Sequence, residues 1–276
     1  GAGEYAAGYT VELWAGPDAS GLGTATTGDS DVELYQANMD LRLPVGNGLD
    51  VKIGQFLTVV GAETSNYNEN AFWVYSLGFG LEPTHHTGIL TSYQATDDLS
   101  LQIGFANDTT TAQTNAKAGS GTAYLLNIGY TLPESLGFLG GTSLTYARVD
   151  GAGTDALERN NQYIGASIPL GVEGLSYSVA WDIVDYGANG VEDNVVGHYF
   201  SYAVNDKATI NVRYEHGDIS ANSAGGTEID GAEVISVGLD YQVWENVISR
   251  VEVRSLDSDQ RSSTNDSATF NLIYSF

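Results

Sequence analysis

The sequence predicts an all-β fold, a transmembrane antiparallel β-barrel, on three observations. Apolar and polar residues alternate with period two through one segment after another, the pattern of strands with one apolar and one polar face. Connections alternate between short turns and long polar loops, the asymmetry of barrels that cross a membrane. Charged residues make up only 16% of the chain and sit mainly in the long loops, whereas a soluble sandwich carries charge on its outward faces. About fourteen strands are legible along residues 1–276, taken as one barrel domain. An even number closes antiparallel.

The segments follow in order. Tyr9, Val11, Leu13 and Ala15 share one face, with Thr10, Glu12 and Trp14 on the other. After a turn-rich stretch, Tyr35, Ala37, Met39, Leu41 and Leu43 alternate with Gln36, Asn38, Asp40 and Arg42. Asn47-Gly48 is a strong hairpin signal and leads into Val51 and Ile53. Beyond a long connection come Ile89, Thr91 and Tyr93, then a tight turn at Asp97-Asp98 into Leu99, Leu101, Ile103 and Phe105. Tyr124 to Tyr130 and Ile164 to Leu170 alternate cleanly. Thr142 to Val149 leaves its facing open, because Arg148 falls on the side of Leu144 and Tyr146. The last third is the most regular, from Tyr177–Ile183 through Phe200–Val204, Ile210–Tyr214, Ile235–Val243 and Val251–Val253 to Phe270–Phe276. Short turns fall near 45–49, 97–98, 171–174, 205–206 and 245–246; long loops fall near 17–31, 107–121, 150–160, 217–231 and 257–266.

Composition bounds the function. The net charge of −25 repels phosphates and argues against nucleic acid. It favours cations, bound or permeant. Cysteine is absent, as in many exported proteins. No apolar run approaches the ~18 residues of a membrane-crossing helix, but a transmembrane strand needs only about 9–11 residues. The chain starts at Gly1, close to a strand and without Met, and is expected to be processed or N-terminally incomplete.

One stretch stands apart from the short turns. Gly54 to Gly88 leaves one strand-like segment, returns to another, and carries Glu63, Glu69 and Glu82, five aromatic residues, and the pair His85 and His86. A connection of that length needs a reason. The expectation is that it folds into the lumen and narrows it, with these three acids and two histidines at the constriction. Arg42, Lys52, Arg213, Arg250 and Arg254 lie at strand positions expected to face the lumen, as do Glu12, Asp40, Asp182, Glu215, Asp240 and Glu252. Mixed charge is costly in a packed core and cheap in a water-filled pore. The bland alternative for Arg250, Glu252 and Arg254 is an ion-pair ladder that braces the wall.

Catalytic signatures are missing: there is no G-x-S-x-G and no H-E-x-x-H. Adjacent histidines on an extended segment point apart, so His85 and His86 are poor joint ligands and no metal site is assigned. Asp18, Asp29 and Asp31, or Asp257, Asp259 and Asp266, could hold Ca²⁺ in acidic external loops, although they lack the spacing of a dedicated calcium loop. Solvated surface acid is the default reading.

V-K-I-G-Q-F-L-T-V-V-G-A-E (51–63), followed by P-T-H-H-T-G (83–88), resembles the bacterial outer-membrane porins grouped as β-barrel porin-2. V-E-L-W-A-G-P-D-A (11–19) and L-P-V-G-N-G-L-D (43–50) are similar to that family too, and Phe276 ends the chain as outer-membrane barrels generally end. Gln55 stands where the family often has Lys. The resemblance implies about sixteen strands, with a hairpin preceding the visible fourteen. It also implies a location in the bacterial outer membrane, contact with its lipid, and a homo-oligomer such as the trimers common among porins. The expected function is passive diffusion of small hydrophilic solutes or ions with a mild cation preference, without enzymatic chemistry. The alternative is a structural or surface-anchoring barrel with a plugged lumen and cation-binding acidic loops.

Overall fold

The computed structural model describes residues 5–16, 19, 32–107, 122–151, 159–187, 191–220, 229–259 and 265–276. Fourteen strands follow one another along the chain. They are β1 (Ala6–Ala15), β2 (Val32–Leu43), β3 (Leu49–Leu57), β4 (His85–Gln94), β5 (Leu99–Ala106), β6 (Ala123–Thr131) and β7 (Ser143–Gly151). The second half comprises β8 (Asn160–Pro169), β9 (Leu175–Asp185), β10 (Glu192–Asn205), β11 (Ala208–Ile219), β12 (Ile229–Trp244), β13 (Val247–Asp257) and β14 (Asn265–Tyr274). Each pairs antiparallel with the next, so the sheet order is the sequence order from β1 to β14. Among the described residues no ladder joins β1 to β14. The sheet nonetheless wraps around a single inward segment, which touches Trp14 of β1, Asn127 of β6, Glu215 of β11 and Glu252 of β13. Only a strongly curved sheet brings those strands to one object. No helix of the described residues is long and apolar enough to cross a membrane.

The period-two pattern sets the two faces. Val11, Leu13, Ile53, Ile89, Ile103, Phe105, Leu239, Val251 and Phe270 lie exposed on the outer face. So much contiguous apolar surface is tolerated in lipid and not in water. In the β2–β3 turn the positive φ angles fall on Gly46 (57°) and Gly48 (104°) rather than on Asn47, and in the β12–β13 turn Asn246 takes a φ of 63°. The β6–β7 connection is longer than its counterparts and holds a short 3-10 helix, Glu134–Leu139.

Two facings differ from simple alternation. Simple alternation puts Tyr35 with the outward apolar residues, but it is 2% exposed and turned inward. The register with β1 shifts between Glu12 and Leu13, so Tyr35 is the extra residue of a bulge and the alternation resets there. On β7, Ala147 and Val149 are buried inside, which puts Leu144, Tyr146 and Arg148 on the outer face. Arg148 is neutralised there by Asp150 at 2.6 Å.

The interior is not uniformly polar. Phe56, Leu90, Leu125, Val149, Tyr163 and Ala180 form an apolar cluster with Val59 and Val60 of the inward segment. Burial against that cluster holds the root of the segment inside the sheet.

Candidate functional site

The stretch predicted to enter the lumen does so, with narrower bounds. Residues 54–57 belong to β3 and 85–88 to β4, leaving 58–84 as the inward segment. One helical turn, α1 (Leu77–Leu81), interrupts it, capped by Ser76, whose hydroxyl accepts from the Phe79 amide at 3.0 Å.

Two wall carboxylates and one loop carboxylate hold this segment by its backbone. Glu252 accepts from the Trp73 and Val74 amides at 2.9 and 3.0 Å. Glu215 accepts from the Leu77 amide at 2.6 Å and the Gly78 amide at 3.4 Å, the orphan donors at the start of α1. Glu63 accepts from the Ser76 amide at 2.8 Å. Asp182 of β9 lies against Gly78, where a Cβ would collide with its carboxylate.

Arg213 of β11 is the hub. Its guanidinium pairs with Glu63 at 2.6 Å and Glu215 at 3.0 Å, with side-chain exposures of 0%, 6% and 0%. It also donates to the Val74 carbonyl at 3.0 Å and lies 4.6 Å from the Phe72 ring centroid. Two carboxylates, a carbonyl and an aromatic face compensate the buried cation. Nearby, Arg250 forks onto Asp240 at 2.8 and 2.9 Å and reaches the Tyr67 carbonyl at 3.1 Å. On the far side, Arg159 and Asn161 both donate to the Leu81 carbonyl.

The predicted residues thus fall into distinct groups. Glu63, Arg213 and Arg250 meet at the contact between segment and wall. Arg254 lies on the same inner face of β13, half-buried. Arg250, Glu252 and Arg254 do not form a ladder among themselves, because Arg250 is taken by Asp240 and Glu252 by loop amides. Glu69 is exposed and bonded locally to Asn66 and Thr64. Glu82 meets Asp182; burial first, and then that second carboxyl, push the Glu82 carboxyl well above its ordinary range. Gly61, at a φ of 108°, is the close approach that admits the Glu82 side chain.

His85 and His86 are not loop side chains. They are the first residues of β4 and fully buried, His86 within 3.0 Å of the Thr58 hydroxyl and His85 edge-on to Tyr35 at 4.8 Å. The P-T-H-H-T-G return already pairs with Phe56 and Leu57, and ladder pairing of the backbone ends the loop before the histidines.

Arg42 and Lys52 lie at the short-turn end of the wall, away from the segment. They pair with Asp50 at 2.7 Å and Asp40 at 2.9 Å beside a cavity of about 330 Å³. The Arg42 pair is about half exposed on both sides. Arg42→Ala is therefore expected to cost under ~1 kcal/mol of stability, read as an unchanged unfolding midpoint. A large loss of stability would contradict the exposed placement.

Asp18, Asp29 and Asp31 lie outside the described residues. Asp257 and Asp266 are bonded to Ser258 and Ser255. Among the described residues no three acidic or histidine side chains converge as metal ligands. Nothing in the sequence pattern marks Asp182, Glu215, Glu252, Asn161 and Phe72 as contacts of the segment. Alternation points the three acids inward, but does not show that Glu215 and Glu252 accept loop amides.

Comparison with solved structures places the fold. The trimer form of OmpT, an outer membrane protein of Vibrio cholerae, aligns with a TM-score of 0.64 at 15% identity, covering 98% of this chain and 86% of that one. An anion-selective porin from Comamonas acidovorans gives 0.62 at 15% identity, covering 97% and 80%. OpdK of Pseudomonas aeruginosa, solved with vanillate, gives 0.60 at 14% identity, covering 98% and 78%. No curated protein matches the sequence. The profile of the family described as "Putative beta-barrel porin-2, OmpL-like" matches residues 2–276. With nearly its whole length matched, and a strand order and apolar outer face to suit, the chain belongs to the β-barrel porin-2 family of the bacterial outer membrane.

Proposed function

We propose that the protein is a passive diffusion channel for small hydrophilic solutes and ions, with a mild cation preference. The observation that carries this reading is the inward segment 58–84. It is held across the interior by buried carboxylates and Arg213, while the Arg42–Asp50 and Lys52–Asp40 wall stays water-accessible. Passage needs no covalent chemistry: polar side chains replace part of a solute's hydration at the narrowing. Exposed Glu69 supplies the acid at the constriction, the buried carboxyls of Glu63 and Glu82 set its shape against Arg213 and Asp182, and Arg250 and Arg254 line the wall beside it. His85 and His86 contribute by holding the segment's return in place.

The net charge of −25 supports cation preference, so the anion selectivity of the Comamonas porin is not carried over. The trimer form of the Vibrio protein supports a homotrimer. Acidic external loops remain the candidate place for Ca²⁺. The structural barrel with a plugged lumen draws on the same anchoring and predicts a silent protein.

Planar-bilayer recordings separate the two. Discrete conductance steps in KCl are expected, with a reversal potential that favours K⁺ across a salt gradient. Insertion without steps overturns the channel, and a reversal potential of opposite sign overturns the cation preference alone.

A further inference from the structure

The rings of the inward segment form a stack. Tyr67 stacks with Trp73 at 4.3 Å and with Tyr75 at 4.6 Å, and Phe79 follows 4.0 Å from Tyr75. On the wall, Trp14 of β1 stacks on Tyr35 of β2 at 4.2 Å. The two groups approach at Trp14 and Tyr67, where the centroids are 6.5 Å apart and the planes tilted by 33°. That step is wider than any within the stacks. Trp14, Tyr67 and Trp73 are all part-exposed.

Two carboxylates flank this corner without a cation. Glu12 accepts from Trp14 Nε1 at 3.3 Å and Gln36 Nε2 at 3.1 Å. Glu69 accepts from Asn66 Nδ2 at 3.0 Å and Thr64 Oγ1 at 3.3 Å. Both lie near Tyr35. Among the described residues neither enters an ion pair, in contrast to Glu63 and Asp240, which Arg213 and Arg250 neutralise. His85 is edge-on to Tyr35 and 0% exposed, and among the described residues neither of its ring nitrogens has a hydrogen-bond partner. The negative charge of the corner is therefore not neutralised by any described residue.

Aromatic faces beside uncompensated negative charge attract a cation that carries its own apolar surface. A hydrated inorganic cation gains the charge but little from the rings. A neutral apolar solute gains the rings alone, and an anion is repelled. We propose that Trp14 and Trp73, each backed on one face by a stacked tyrosine and flanked by Glu12 and Glu69, form a binding site for organic cations of the quaternary ammonium class. The site rests on the channel reading above and adds to it the class of solute retained at the narrowing.

Choline and its uncharged isostere 3,3-dimethylbutan-1-ol are the probes, with the purified full chain in planar bilayers. Choline is expected to interrupt the K⁺ current at concentrations where the alcohol has no effect. Trp14→Leu keeps apolar bulk but removes the indole, and is expected to weaken the block by about three- to thirty-fold. Glu12→Gln is expected to weaken it as well. Tryptophan fluorescence of the wild-type protein and of Glu12→Gln, titrated with both probes in detergent, reads binding without needing conduction. K⁺ steps on which choline and the alcohol act alike overturn this site and leave the channel reading standing. Absence of K⁺ steps overturns the channel, and fluorescence that responds equally to both probes overturns the site independently.

Discussion

Arg213→Met is expected to destabilise the folded protein by about 3–5 kcal/mol and to turn a steady channel into a fluctuating one. The cost follows from what is left behind. Glu63 and Glu215 are almost completely buried, and each relies on this guanidinium as its close cation. Methionine fills much of the volume and retains contact with Phe72, but leaves two carboxylates facing each other in a place with little water. They shed that repulsion by protonating or by moving apart, and moving apart takes the segment with them, because Glu215 holds α1 and Glu63 holds Ser76. Arg213→Lys is the informative partner: it keeps the charge but concentrates its donors at one point, without the planar spread by which Nε, Nη1 and Nη2 reach separate acceptors, so an intermediate loss is expected. The checks are the unfolding midpoint in denaturant and the variance of the open-channel current. A variant as stable and as quiet as wild type would show that the segment is held elsewhere.

Alkaline conditions are expected to loosen the same segment at Glu82. Its carboxyl is raised by burial and by Asp182, and faces Glu63 as well. A carboxyl raised above its unfolded value binds more protons in the folded state, so its contribution is complete at pH below the ordinary carboxylate range. That contribution is lost as the pH climbs through the raised value. Two carboxyls in contact share a proton readily and repel once both ionise. The expected result is a conductance that grows noisier as pH rises, with the dependence flattened in Glu82→Gln, whose amide stays neutral and can donate to Asp182. An unchanged pH profile in Glu82→Gln would remove Glu82 from this role.

The two experiments probe different ends of one contact. Arg213 ties the middle of the segment to β11, while Glu82 ties its return to β9. A loss at Glu82 with Arg213 intact should admit partial opening rather than collapse. The neighbouring charges set the scale, because Glu215 already reaches the helical turn beside Asp182.

Much of the framework was legible because strand physics is local. Val11 and Leu13 face lipid because side chains alternate every residue, and the chain turns at 45–48 because Gly46 and Gly48 accept positive φ. Tyr35 escaped the same logic. A bulge adds one residue without any change of composition, and period-two counting runs straight through it. The histidines were drawn into the loop because a run of T-H-H-T contains no breaker, and only pairing with Phe56 and Leu57 shows where the strand begins.

By itself, then, the sequence determined the all-β class, the short and long ends of the barrel, the apolar outer face and the long segment that must go somewhere. The tertiary structure decided where it goes. Glu215 and Leu77 are 138 positions apart, and Glu252 and Trp73 are 179 apart. Alternation fixes which way a carboxylate points relative to its own strand, but not which amide it meets across a curved sheet. That choice depends on how far the sheet wraps, and hence on all the intervening registers together.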